Sequence, residues 1–236
     1  MKDLWFLKML WFNYSTSISL IQQNLEEPVD VYEAMSARKT IRDFAPRIID
    51  LSIIKKIISA GMMAPTNNHM REWHFVVLQD LDQRKALLDQ VIKPVGKKGA
   101  TGIVNRWGLT NESQRQMYID GIPRQYGMLF NSGALILPCF NQPTPLLMPG
   151  DLSALNPFAS IWCCIENILV AAASEGIFGV TRIPFESERK TIRQFINLPE
   201  PYEIPCYLAL GYPADNADRA AQINIDLDER IHLNLW

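Results

Sequence analysis

Between Phe158 and Ser174 the chain carries Ile161, Ile165, Ile168, Leu169 and a run of alanines at helical spacing. A helix that is apolar on most of its faces has to be covered on most of them. This segment therefore reads as a central buried helix that the other elements must enclose. The flanking sequence supplies them. Asp50 as N-cap and Gly61 as stop bracket Ile53, Ile54, Ile57 and Ile58, one apolar face with Lys55 and Lys56 outside it. Trp73 to Leu78 is a β-branched and aromatic run that reads as a buried strand. Ala134 to Phe140, the residues after Gly176, and Cys206 to Leu210 read as further strands. Helices are expected over Asp82 to Val91, Asn111 to Asp120 and Glu188 to Phe195. Pro94 to Gly102, rich in Lys and Gly, reads as a mobile surface loop, and the proline-rich Asn141 to Pro157 as loop. Strands separated by helical crossovers predict an α/β layered domain, with a lean towards parallel strands.

Composition bounds the function. With 236 residues the chain can form one large domain or two small ones, and 48% hydrophobic content is ample for a core. A formal net charge of -2 gives no overall basic field for nucleic acid. Cys139, Cys163, Cys164 and Cys206 form no C-x-x-C pair, and His69, His74 and His232 have no zinc-type spacing with them, so no metal site is expected. The adjacent Cys163 and Cys164 fall in the apolar helical run, where buried thiols are common. This pattern suits a reducing cytoplasm. Residues 1–27 are too polar after Asn13 to span a membrane and lack a cleavage motif. They read as an N-terminal extension of unassigned role or as a helix packing on a partner subunit, leaving residues 28–236 as the folded domain.

The densest chemistry lies in Arg38-Lys39-Thr40-Ile41-Arg42-Asp43-Phe44. A short helix precedes it, capped by Asp30 with Glu33 at the third position, so the cations emerge at a helix C-terminus where the macrodipole favours them. Arg offers a planar fork of donors suited to phosphate, and Thr40 adds a hydroxyl. The residues alone equally allow a solvated basic turn.

Five segments in order resemble one family. Ala37 to Phe44 is similar to the R-R/K-S/T-x-R-x-F opening of the nitroreductase family of FMN-dependent oxidoreductases. Ala64-Pro65-Thr66 followed by Trp73 resembles its A-P-S-x-x-N-x-Q-P-W segment. Ala171 to Gly176 resembles its central-helix exit, Leu210 to Pro213 its last strand, and Ile231 to Trp236 a frequent C-terminal ending. The resemblance covers roughly residues 29–236. It implies an α+β fold, an α/β/α sandwich with a central, mostly antiparallel sheet, built as an intertwined homodimer with FMN at the interface. That replaces the parallel lean of the alternation itself.

On the family pattern Arg38 and Thr40 would hold the phosphate, Lys39 would lie beside the ring and ribityl chain, and Arg42 would approach the N1/O2 edge. Pro65, Thr66 and Asn67 would come from the other subunit. Thr181, Arg182 and Ile183 would present backbone donors near N5. His69 stands where the family usually has Asn, as in its deiodinase branch, and is a further candidate at the cofactor. Arg71 stands where the family has Gln, which would favour an acidic substrate or form a surface pair. Arg219 and Arg230 are both candidates to complete the phosphate site. No catalytic side chain is assigned, since FMN itself carries hydride chemistry. The implied activity is ping-pong transfer of hydride from NADH or NADPH to a small electron-poor acceptor of nitroaromatic, quinone or enone type. The competing readings are an FMN storage protein and a reductive dehalogenase, for which the stretch from Lys93 to Ile122 is long enough to be a lid.

Overall fold

The computed structural model describes residues 30–217 and 224–236. The expected extension over residues 1–27, and Arg219, lie outside the described residues. The fold is organised by the strand β2 (Ala134–Asn141). Ala134, Ile136 and Phe140 project to one face and Leu135, Leu137 and Cys139 to the other, and all six are fully buried. A strand apolar on both faces needs a helical layer on each. The sheet runs in the order β1 (Trp73–Leu78), β2, β5 (Tyr207–Gly211), β3 (Phe178–Arg182), with the two-residue β4 (Tyr202–Glu203) paired to the end of β2.

Each of these strand pairs is antiparallel. The parallel lean of the alternation is thereby corrected, and the antiparallel sheet implied by the resemblance is borne out. The physical reason lies in β5. A helical crossover does connect β2 to β3, and the two run in the same direction, but the last strand inserts between them and pairs antiparallel to both. Hydrophobic pattern reports which face a residue takes, not which strand becomes its neighbour.

The central helix α7 (Asn156–Ser174) and α2 (Leu51–Gly61) cover one face of the sheet. Helices α3 (Leu81–Val91), α6 (Gln125–Phe130) and α8 (Glu186–Phe195) lie on the other. Ile54 and Ile57 of α2 are buried, and Lys55 and Lys56 are exposed, as their spacing predicts. Gly61 has another role than a stop. A Cβ there would sit 2.5 Å from Ile168 Cγ1 and 3.0 Å from Cys164 Sγ, so glycine is what lets α2 approach α7 closely. Burial pushes the thiols of Cys139 and Cys164 up to about 12, while Cys163 is exposed.

The central helix is only partly enclosed. Ile161, Cys164, Ile165, Ile168 and Ala172 are buried, whereas Cys163, Glu166 and Asn167 face outwards. With its preceding turn, Leu152–Ser174 is long and apolar enough to cross a membrane, by length and composition. In this fold its buried stripe packs on α2 and the sheet. Likewise β1 is an edge strand of the described sheet, and only Trp73 and Leu78 of it are buried.

The expected loop from Pro94 to Gly102 is instead largely helical. Helices α4 (Lys97–Arg106) and α5 (Glu112–Gly121) form a hairpin beside the main body, with a small core of Ala100, Val104 and Ile122. Sequence reading also missed Arg84, whose fully buried guanidinium donates to the carbonyls of Leu78, Phe130 and Ser132. Desolvation lowers its pKa to about 10. It ties α3 to the end of β1 and to the turn that enters β2.

Candidate functional site

Helix α1 (Val31–Ala37) is capped as its sequence predicts, with Asp30 Oδ1 accepting from the N–H groups of Tyr32 at 2.8 Å and Glu33 at 3.3 Å. Arg38 is its C-cap, and the chain then runs along the open side of β3. Thr40 bridges Gly179 in parallel sense, and the Ile41 N–H donates to the Gly179 carbonyl at 3.3 Å. Ile41 and Phe44 bury their side chains beneath this edge. The anchoring leaves Arg38, Lys39, Thr40 and Arg42 half-buried along it.

The four polar side chains differ in what they hold. Arg38 Nε pairs with Glu166 Oε1 of α7 at 3.2 Å. Arg42 Nη2 lies 3.9 Å from Met117 Sδ of α5, so the helical hairpin adjoins the basic stretch. Its neighbour Asp43 pairs with Arg124 at 3.4 Å. Lys39 makes no ion pair or hydrogen bond through its ammonium among the described residues, and the Thr40 hydroxyl makes none either. A half-buried lysine whose ammonium has no counter-charge among the described residues gains from an anion.

The exit of β3 lies on the same edge. Thr181 is half-buried, Arg182 buried and Ile183 exposed. The Arg182 side chain turns into the protein: Nη1 and Nη2 donate to Glu188 at 2.6 and 2.8 Å, and Nε donates to Gln125 Oε1 at 2.8 Å. Only its backbone is left to face a ligand. The Ile183 N–H, just past the last paired residue of β3, has no hydrogen-bond partner among the described residues.

The loop between α2 and β1 is separate from this group. Pro65, Asn67, His69 and Arg71 are exposed, and Thr66 is half-buried with its Oγ1 enclosed and unpartnered among the described residues. His69 and Arg71 have φ of 59° and 49°, left-handed values that cost a non-glycine residue about 1 kcal/mol or more each. Asn68 supports the turn by accepting from the Met70 N–H at 3.1 Å. Behind the loop lies a cavity of about 110 Å³ bordered by Thr66, Glu72, Asn141 and Ser160. It is smaller than the few hundred Å³ a cofactor-sized ligand needs, and the basic stretch does not line it. Arg71 forms no ion pair among the described residues, so the surface-pair alternative is not met there.

The structure therefore brings Arg38, Lys39, Thr40 and Arg42 together with Thr181, Arg182 and Ile183. It does not bring Pro65, Thr66, Asn67 and His69 to them within one protomer. The loop feeds β1, whereas the basic stretch lies outside β3, on opposite edges of the sheet. Four strand spacings separate those edges, roughly 19 Å. Arg230 sits on the C-terminal segment, which is exposed from residue 224 to 236. No group of three or more potential metal ligands occurs among the described residues.

Comparison with known proteins agrees with this architecture. A protein of Methanothermobacter thermautotrophicus, provisionally named NADH dehydrogenase/NAD(P)H nitroreductase, is 25% identical over 98% of this chain and all of its own length. The 4-nitrobenzoate reductase of Pseudomonas putida is 23% identical over 80% of this chain and 87% of its own. Among solved structures, iodotyrosine deiodinase bound to FMN and 3-iodo-L-tyrosine superposes with a TM-score of 0.64, covering 88% of this chain and 100% of its own at 15% identity. At that identity the likeness speaks for the fold. The model of the Nitroreductase family matches residues 35–212, from α1 through the basic edge and the whole sheet. The chain is thus a member of the nitroreductase family.

Proposed function

We propose that this protein is an FMN-dependent oxidoreductase that passes hydride from NADH or NADPH to a small electron-poor acceptor, and that it works as a homodimer with FMN at the interface. The observation that carries the reading is the split site. Donors without partners among the described residues line the β3 edge at Lys39, Thr40 and Ile183. An unpartnered hydroxyl and a strained, outward-facing loop lie at the opposite edge. A second copy related by twofold symmetry can set one loop against the other protomer's basic stretch, which one chain cannot do.

The donor set fits FMN. Arg38 and Thr40 would take the phosphate, Lys39 the ribityl side of the ring and Arg42 the N1/O2 edge. The Ile183 N–H would meet N5, and Pro65, Thr66, Asn67 and His69 would approach from the partner. Bound FMN supplies hydride acceptance and donation at N5. The chain's own work is to bind, orient and tune. Arg42 places fixed positive charge where a reduced ring gathers negative charge, and the apolar interface excludes water. Residues 28–236 would form this cofactor-binding domain, residues 1–27 an extension to it, and the cytoplasm its setting.

The names of the relatives support nitro-group reduction, 4-nitrobenzoate among the acceptors. The hairpin of α4 and α5 against Arg42 favours a second reading, reductive removal of a ring substituent beneath a lid. Purified protein should be yellow, with flavin bands near roughly 370 and 450 nm that belong to the cofactor. Anaerobic NADH or NADPH should bleach them within seconds, and 4-nitrobenzoate should restore them. A colourless protein that does not take up added FMN excludes the proposal. Bands restored by an iodinated phenol with release of iodide, but not by a nitroaromatic, select the second reading.

A further inference from the structure

The buried ion pair of Arg182 and Glu188 has no part in the reading above, yet it lies one residue before the unpaired Ile183 N–H. Glu188 is the third residue of α8, and its Oε2 accepts from the Phe185 N–H at 3.3 Å. The same carboxylate receives both terminal nitrogens of Arg182, at 2.6 and 2.8 Å. The segment from Arg182 to Phe185 is thus pinned at both ends to a single side chain. Between the pins lies Pro184, whose ring fixes φ. Gln125 of α6 accepts from Arg182 Nε, and the Tyr207 hydroxyl of β5 lies 3.5 Å from Glu188. The turn is therefore braced against two further elements, α6 and β5.

Such a pair is a poor source of stability, because desolvating two charges offsets most of their attraction. What a bidentate fork does supply is a fixed geometry. We propose that Arg182 and Glu188 are positioning residues: they hold the β3–α8 turn so that the Ile183 N–H is aimed at flavin N5, and they place a charged cluster beside that edge of the ring. This inference rests on the FMN reading given under Proposed function.

Glu188→Asp keeps the charge but shortens its reach by one methylene, shifting both pins. The variant should retain FMN, while stopped-flow reduction of the flavin by nicotinamide slows by about tenfold or more, the scale of a small misplacement at a reacting atom. Arg182→Lys, which keeps the charge without the fork, should slow it likewise. Because changes at a buried pair can cost the fold, Gln125→Glu provides an independent reading. Glu is isosteric with Gln and keeps the oxygen that accepts from Arg182 Nε, so this variant should fold. It adds negative charge against the Arg182 guanidinium and should lower the midpoint potential of bound FMN. Wild-type reduction rates in a folded Glu188→Asp protein, or an unmoved potential in Gln125→Glu, overturn the positioning role while FMN remains bound. Folded wild-type protein that holds no FMN overturns the underlying reading and this one with it.

Discussion

Glu166 pairs with Nε of the Arg38 guanidinium that a flavin phosphate would need, so these two residues have opposed tests. Arg38→Ala removes a charge-assisted and bidentate-capable contact and should weaken FMN binding about 10- to 100-fold, equivalent to about 1.5–3 kcal/mol. Glu166→Gln removes the competitor and a like charge, and should tighten FMN in the same fluorescence titration. A loss in both variants would mean that the Arg38–Glu166 pair is structural. In the proposed site Arg42 would act on reactivity rather than affinity. A cation about 4 Å from a charged ring edge is worth about 4 kcal/mol at an effective dielectric of 20, and about 1–2 kcal/mol net after desolvation. With 1.4 kcal/mol equal to about 30 mV for two electrons, Arg42→Ala should lower the midpoint potential by tens of millivolts while FMN stays bound. Redox titration decides it: an unshifted potential removes Arg42 from the ring. Arg71, exposed on its strained loop, would bear on substrate choice if that loop reaches the acceptor. Arg71→Gln should cut the kcat/KM ratio of 4-nitrobenzoate over neutral 4-nitrobenzamide by about tenfold, one charge-assisted contact. An unchanged ratio removes Arg71 from the acceptor site.

At the scale of elements the closest joint is that of α2 with α7. Gly61→Ala would press a methyl to within 2.5 Å of Ile168 and should destabilise the fold by about 1–3 kcal/mol in urea unfolding. Stability equal to wild type would show that α7 can retreat. The same residue illustrates what sequence made legible. Ile53, Ile54, Ile57 and Ile58 declared the helix and its buried face, because amphipathic period is a local property. Gly61 sits at the expected end of that helix, but its reason is a neighbour more than a hundred positions on, which no local pattern contains. The helix over Lys97–Arg106 was hidden in the same way. Gly99 and Gly102 weigh against helix, and Ala100 and Val104 become a core only once Ile122 folds against them. The basic stretch was legible because it is contiguous, and the backbone segment Thr181–Ile183 because it follows the central helix. That the Arg182 side chain turns inward onto Glu188 was not legible, since a sequence does not say which way a strand residue faces until its partner strand is known.

For the molecule as a whole, much apolar surface is left uncovered by one protomer. Ile225, Leu227, Ile231, Leu233, Leu235 and Trp236 are exposed along the C-terminal segment, and Met63 and Met70 along the loop after α2. Exposed apolar surface of this kind marks contact with another molecule. Sedimentation should find a dimer at every concentration where FMN is bound, and a flavin-saturated monomer would contradict the proposed assembly. The proposed division of the site between two sheet edges also has a genetic meaning. Take Arg38→Ala, inactivated on the phosphate side, and a second inactive chain altered only at Thr66 and Asn67. Neither homodimer contains an intact site. Co-expressed, the two can form heterodimers in which one site carries both lesions and the other carries neither. Random pairing would then restore about one site in four, so two dead alleles would complement each other in a single cell.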